Sequence, residues 1–397
     1  MATWETGNDV RQDGESWGTR TQSARGTSFV TEVFDGADEA LAALEVIEHG
    51  LASTGFQILD WLTVLYEELA AAHKALPRLV VVTEKESGEI VLALPLLIVR
   101  DGALRVAIFA DLGVSDYGAP ILGPTPFLEA QAVRRLWRSV RAAMRDIDLI
   151  RFERMPAEIG GLPNPLLALF GSAPSRTFGN RLIVEGTFDD YLQSLAKKYR
   201  KDVERCYRLW EKEGAPRFYQ ATTDDEIAHV FATSEEQQAV WHAAHGTKDV
   251  LADPATRSFY ERLAMDGSDA GLTALFALEA DGKILATLLG LVHGNVFSLL
   301  SISTAGEGWS HLSPGRLVVL ETVKHLLPRG MTCFDMGIGS NPLRHGFGTE
   351  EVPLYDLVVA QDVTALPVAI VHEVSAHLRP GGLLRKAIRK AIPRLNG

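Results

Sequence analysis

Apolar residues in the first half of the chain fall into short runs, with stretches of helical spacing on either side. Residues 28–34 alternate apolar and polar positions as a half-buried strand does, and 37–47 and 56–74 carry apolar residues three and four apart. Leu79-Val80-Val81-Val82-Thr83 is short and β-branched, the pattern of a buried strand. A turn at Gly88 leads to an apolar strand over 90–99, and Asp101-Gly102 is a hairpin signal before a third strand over 104–109. A glycine-bearing loop over 111–123 precedes a helix over 126–145. Pro126 lies near that helix's start, where its missing N–H costs nothing. Residues 149–154 read as a closing strand.

The second half repeats the scheme. Residues 225–244 and 255–265 read as helices, and 272–279, 283–292 and 296–303 as strands joined by turns at Asp281-Gly282 and His293-Gly294-Asn295. A loop over 304–315, a helix over 316–327 and a strand over 331–336 follow. The hairpin beginning at Gly88 aligns with that at Gly282, 194 residues on, and the strand at Phe152 with that at Phe334, 182 residues on. The first copy thus carries about 12 more residues between these points, placed in its 111–123 loop. Either two strand-rich segments coincide by chance or the domain is duplicated. The fold class expected is α/β, a mixed sheet with helices, in two tandem units of which the first is degenerate. The boundaries are an arm over 1–27, units over 28–185 and 186–362, and a tail over 363–397. The second unit opens with a helix over 188–213 that carries a dense basic face.

Composition narrows the partners. At 397 residues with 46% hydrophobic content, the chain can bury two cores. A net charge of -12 repels nucleic-acid phosphate, so broad electrostatic binding to DNA is not expected. Cys206 and Cys333 are too few and too far apart for a disulfide framework or a zinc site, and read as buried thiols in a reducing compartment. The first 25 residues lack the apolar core of a signal peptide, and no run is long enough to span a bilayer, so a cytoplasmic location is expected. The basic face over 197–212 is interspersed with Asp202, Glu204 and Glu211, as a solvated face would be. The tail has fewer acids, and its Arg385, Lys386, Arg389, Lys390 and Arg394 suit contact with a membrane surface or a nucleotide.

Two strings carry a resemblance. His311-Leu312-Ser313-Pro314-Gly315-Arg316 precedes an apolar helix, and Gly330-Met331-Thr332-Cys333-Phe334-Asp335-Met336-Gly337 ends the next strand. Together they resemble the second domain of the BioF2-like or CelD-like acetyltransferases, tandem members of the GNAT superfamily distantly similar to the Fem peptidyltransferases. Asp116-Tyr117, the opening of the basic helix over 191–195, and Trp241 with Gly246 are similar to recurrent features of that family. The resemblance covers about residues 30–360. It implies acyl transfer from acetyl-CoA or another acyl-CoA to an amine, with an amino sugar of exopolysaccharide or cellulose-related biosynthesis as one acceptor. Aminoacyl transfer of the Fem kind and a non-catalytic binding role are the alternatives. The sequence departs from the family where a Tyr-Lys pair is common, because Leu343-Arg344 stand there.

Such chemistry needs a held pyrophosphate, a group to take the amine proton and a stabilised oxyanion. Ser313, Pro314, Gly315 and Arg316 are placed for the pyrophosphate at a helix start, with Ser313 as a cap and Arg316 as charge; the bland alternative is a plain capped helix. The strand over 298–303, ending at Ser303, is expected to splay from its neighbour and offer backbone groups to the pantetheine arm. Asp335 and His345 are the candidate proton acceptors, although Asp335 also suits fixing the following loop and His345 suits simple solvation. Trp241 and His245, at i and i+4, are candidates for the acceptor pocket together with Arg344, with a core Trp as the plainer reading. His242 and His245 lack a carboxylate ligand pattern, so no metal is implied.

Overall fold

A computed structural model of the chain describes residues 28–124, 129–340 and 346–377. The arm over 1–27 lies outside the described residues, as do the tail beyond 377 and the Leu343, Arg344 and His345 positions.

In chain order the strands are β1 (Phe29–Asp35), β2 (Leu76–Glu84), β3 (Ile90–Asp101), β4 (Leu104–Phe109), β5 (Ile121–Leu122), β6 (Leu149–Pro156), β7 (Glu158–Ile159), β8 (Leu162–Pro163), β9 (Ser172–Ile183), β10 (Arg217–Ala221), β11 (Thr273–Ala280), β12 (Lys283–His293), β13 (Val296–Thr304), β14 (Cys333–Ile338) and β15 (Glu350–Ala360). The helices are α1 (Ala37–Ile47), α2 (Leu59–Val64), α3 (Ala130–Ala143), α4 (Phe188–Ser194), α5 (Lys197–Trp210), α6 (Asp224–His245), α7 (Pro254–Asp269), α8 (Pro314–Leu326) and α9 (Leu366–His377). Among the described residues, thirteen strands form one sheet in the order β1-β2-β3-β4-β6-β15-β9-β14-β13-β12-β11-β10, with β5 beside β3.

That order reads the same from both edges. β1, β2, β3, β4 and β6 are matched by β10, β11, β12, β13 and β14, and in each set one pair is parallel, β4 with β6 and β13 with β14. The duplication expected from the hairpins at Gly88 and Gly282 is therefore the architecture of the sheet. The last strand of each half crosses over at the centre. β9, which follows β6 in the chain, pairs with β14, while β15, which follows β14, pairs with β6, and the two pair with each other.

Alternation along the central strands sets the two layers of helices. Val80 and Val82 pack under α3 with Leu136 and Val140, and Leu79 and Val81 pack under α1 and α2. In the second half Phe276 and Leu278 face α5 and α8, and Leu275 and Ala277 face α6 and α7. Trp61 of α2 meets Phe259 of α7 edge to face at 5.1 Å, so one apolar cluster runs between the halves. Local signals start the helices. Thr187 and Asp190 form a capping box on α4, Thr223 caps α6, and Asp253 caps α7 with Pro254 in its first turn. The single helix expected over 188–213 is two, because the chain is extended at Leu195 and Ala196 between α4 and α5.

Candidate active site

β13 and β14 pair only at Val296↔Cys333, Phe297↔Phe334 and Ser298↔Asp335, and then part. β13 runs on to Thr304, so its backbone groups beyond Ser298 are left outside the β14 ladder. This is the splay expected of the strand. Beside it β13 carries a bulge: Gly290 of β12 faces Leu299 and Leu289 faces Ser301, leaving Leu300 unopposed. Glycine is required at position 290, because the Phe297 ring occupies the space a Cβ would need.

The matching place in the first half is closed. β4 and β6 pair only at Val106↔Leu149 and Ala107↔Ile150 before they part, but the β3–β4 register carries no bulge. β5 then takes over the pairing with β3, and Gly118 lies so close to β6 that a Cβ there would stand 2.6 Å from the Glu153 carbonyl oxygen. The longer 111–123 loop of the first copy thus runs through its own gap.

At the start of α8, Pro314 and Gly315 are buried and Ser313 is left-handed, with φ 53. The expected side-chain cap is not made. The Ser313 carbonyl instead accepts from the Arg316 and Leu317 amides at 2.9 and 3.2 Å, because the left-handed turn brings the carbonyl toward them. Nor does Arg316 offer an unmatched charge. It ion-pairs with Asp202 of α5 and lies 4.8 Å from the Tyr199 ring centroid. Burial works against its charge, and Asp202 outweighs burial, holding its pKa above the ordinary value. Arg205 also bonds Asp202, at 2.9 and 3.1 Å, and donates to the His311 carbonyl at 3.3 Å, so α5 clamps the turn before α8.

The Ser303 hydroxyl is buried and faces α6. It meets Thr287 Oγ1 at 2.7 Å and donates to Gln237 Oε1 at 2.7 Å, so only its backbone is placed for a ligand in the splay. Asp335 stands where the splay begins and is 3% exposed. Its Oδ2 accepts from the Tyr117 hydroxyl at 2.5 Å and its Oδ1 from the Gly337 amide at 2.9 Å. The carboxylate thus ties the Asp116-Tyr117 loop of the first half to the turn after β14. Tyr117 in turn accepts at its carbonyl from Gln57 Nε2, and its hydroxyl lies over Gly179 of β9. Burial, and then the Asp335 charge, push its phenol far above the usual tyrosine range. Arg181 on β9 is opposite both Asp335 and Glu350, which puts a row of charged residues across the central strands.

Trp241 and His245 do share a face. Their rings stack at 4.3 Å and 21°, and His245 Nδ1 is 2.8 Å from the Trp241 carbonyl. The reading of Trp241 as a core residue is corrected, since it is 48% exposed. The buried residues of α6 end at Ser234, Gln238 reaches Ser301 of β13, and the last two turns overhang the sheet. A cavity of about 560 Å³ lies on the α8 side, between Phe178 and Leu182 of β9, Tyr191 and Leu195 around α4, and Phe347 and Glu351. Gly346, at its rim, packs against the Tyr199 ring, so the cavity borders the Arg316 cluster. Sequence reading missed it because β9 and β15, which build its floor, carry mixed polar and apolar residues. Among the described residues no cluster of three potential metal ligands occurs.

Residues 197–345 match the family model of the acetyltransferase (GNAT) domain. The matched segment contains the splay, the bulge, the α8 turn and Asp335. Two solved structures share the fold over most of the chain. A protein described as FemX superposes with a TM-score of 0.55 at 13% identity, covering 84% of this chain and 98% of that one. A conserved protein of unknown function from Bacteroides thetaiotaomicron superposes with a TM-score of 0.51 at 11% identity, covering 81% and 97%. Among curated proteins, none matches the chain.

Proposed function

We propose that the chain is an acyl-CoA-dependent N-acyltransferase of the BioF2-like or CelD-like kind, acting at the splay of β13 and β14. The observation that carries this reading is the bulged, unpaired edge of β13 beside an opening that the first half has lost. An extended pantetheine arm would pair with the freed backbone groups beyond Ser298, as an added strand does. The turn at Ser313–Arg316 would stand at the phosphate end, and the cavity beside Tyr191 and Phe347 is proposed for the remainder of the donor. Acetyl is the acyl group proposed, and an amino sugar the acceptor.

In the transfer itself, the amine attacks the thioester carbonyl, loses its proton, and the CoA thiolate leaves. Backbone N–H groups at the bulge are proposed to hold the developing oxyanion. Asp335 is proposed to act through position, keeping the turn after β14 and the Tyr117 loop in register, since both its oxygens already accept hydrogen bonds. His345 is the proposed proton acceptor, on its place in sequence just after that turn. Trp241 and His245 are proposed to flank the acceptor on the α6 side.

Calorimetric titration with acetyl-CoA and free CoA tests the donor. Binding that is lost in Gly290→Val supports the reading, and no binding of either compound at millimolar concentration overturns it. One observation favours a second reading. Arg316 is matched by Asp202, whereas Lys197, Lys198 and Lys201 on α5 are exposed beside it, a charge pattern that suits the phosphates of an aminoacyl-tRNA. Transfer from charged tRNA, with none from acetyl-CoA, would select it.

A further inference from the structure

Beyond Ser298, among the described residues, β13 keeps a strand partner on one side only, β12. Helix α6 supplies the other hold on this freed edge. Leu299 and Ile302 pack with the α5 and α8 layer, whereas Leu300 packs with α6 and α7. Ser301 follows Leu300 and faces α6 as well, since its hydroxyl accepts from Gln238 Nε2 at 2.9 Å. Two neighbouring residues of a strand share a face only at a bulge. Gln238 also donates to Ser234 Oγ one turn back, at 3.2 Å, which fixes its amide. Beside it Gln237 accepts from Ser303 at 2.7 Å and donates to the Ile284 carbonyl of β12 at 2.8 Å. Were the bulge straightened, Ser301 and Ser303 would turn into the apolar α5 and α8 layer, and Ile302 toward α6. Two hydroxyls would then be buried without partners, so the bonds to α6 select the bulged register.

We infer that Gln238 is a positioning residue for the acyl-transfer site: by holding Ser301 it fixes the bulge of β13 and so aims the backbone N–H groups there at the thioester oxygen. The inference rests on the acyl-transfer reading and adds to it a side chain that takes no part in the transfer itself. Packing alone does not call for this pair, because apolar groups of the same shape would join α6 to β13 about as stably. What the polar pair adds is register. Gln238 stands three residues before Trp241 on α6, so one helix sets both the bulge and the place of the proposed acceptor flank.

The test is infrared difference spectroscopy of bound acetyl-CoA, isotopically labelled at the thioester carbonyl, with calorimetry for its affinity. Hydrogen bonds from backbone N–H groups polarise the carbonyl and lower its stretching frequency. The parent should show this downshift on binding. Gln238→Leu and Ser301→Ala should lose it while Kd changes by less than about threefold. Gln238→Glu should keep it, because a carboxylate can accept from the Ser301 and Ser234 hydroxyls. A merely structural role would lower the melting temperature and leave the shift in whatever protein still binds. The inference is overturned if Gln238→Leu shows the parent's shift, if Gln238→Leu and Gln238→Glu lose it alike, or if the parent binds acetyl-CoA with no shift; each of these leaves the donor reading standing. A parent that binds neither acetyl-CoA nor free CoA overturns the acyl-transfer reading, and this inference with it.

Discussion

Tyr117→Phe isolates the contact that joins the first half to the candidate site. The ring stays, so its edge-to-face contact with Phe56 at 5.9 Å and its packing over Gly179 are kept. Only the hydroxyl 2.5 Å from Asp335 Oδ2 is removed. A hydrogen bond to a charged partner contributes about 1.5–3 kcal/mol, and Asp335 is too deeply buried for water to replace the donor fully, so a loss of about 2 kcal/mol is expected. The assay is a double-mutant cycle with Asp335→Asn, read by urea unfolding at neutral pH, with a coupling energy of about the same size. The alkaline side gives an independent check. Tyr117 keeps its proton in the native state well above the ordinary tyrosine value of 10.0, so its contribution is fully present below pH 10 and is lost as pH rises beyond it. The parent should therefore lose stability above pH 10 more steeply than Tyr117→Phe. A coupling below about 0.5 kcal/mol, together with identical alkaline slopes, would refute the assignment of this contact as a tie between the halves.

Three further outcomes are expected. His325 is driven down to about 4 by burial, then by Arg329, against rings of Phe218 and Phe276. With the folded value below the ordinary histidine value of 6.5, its contribution is present above that pH and is lost as pH falls from 6.5 toward 4, so His325→Phe should flatten the acid limb of a thermal-unfolding series. Gly290→Ala places a Cβ inside the Phe297 ring and should cost about 1–3 kcal/mol, with donor binding lost alongside, as calorimetry would show. Asp202→Ala removes the counter-charge from Arg316, and titration should find CoA bound several-fold more tightly if that guanidinium stands at the phosphate end.

The repeated hairpins were legible because β3 and β12 are buried on both faces, so their apolar runs are continuous and bounded by Gly88 and Gly282. β9 was not, since Ser172, Arg176, Thr177 and Asn180 break the pattern; it is a central strand whose polar side chains serve the turn after β14, as when Asn180 donates to the carbonyls of Gly337 and Gly339. β15 begins with two glutamates for a similar reason, with Glu350 opposite Arg181. Nothing local in Ser313-Pro314-Gly315-Arg316 reveals that Arg316 would find Asp202, because that partner is 114 residues away. The i, i+4 relation of Trp241 and His245 was readable from helix geometry alone, whereas the exposure of Trp241 depended on how far α6 outruns the sheet.

The crossing of β9 and β15 governs how the chain can assemble as it is made. β6 is complete by residue 156, but its neighbour β15 ends only at residue 360, so for most of synthesis the first half exposes an unpaired edge beside an otherwise finished layer. β9 waits for β14 in the same way. Folding therefore closes late and over long sequence separation, which makes it slow. A nascent chain stalled before residue 350 would carry two open strand edges, so this protein should lean on holdase chaperones at the ribosome more than its apolar content suggests.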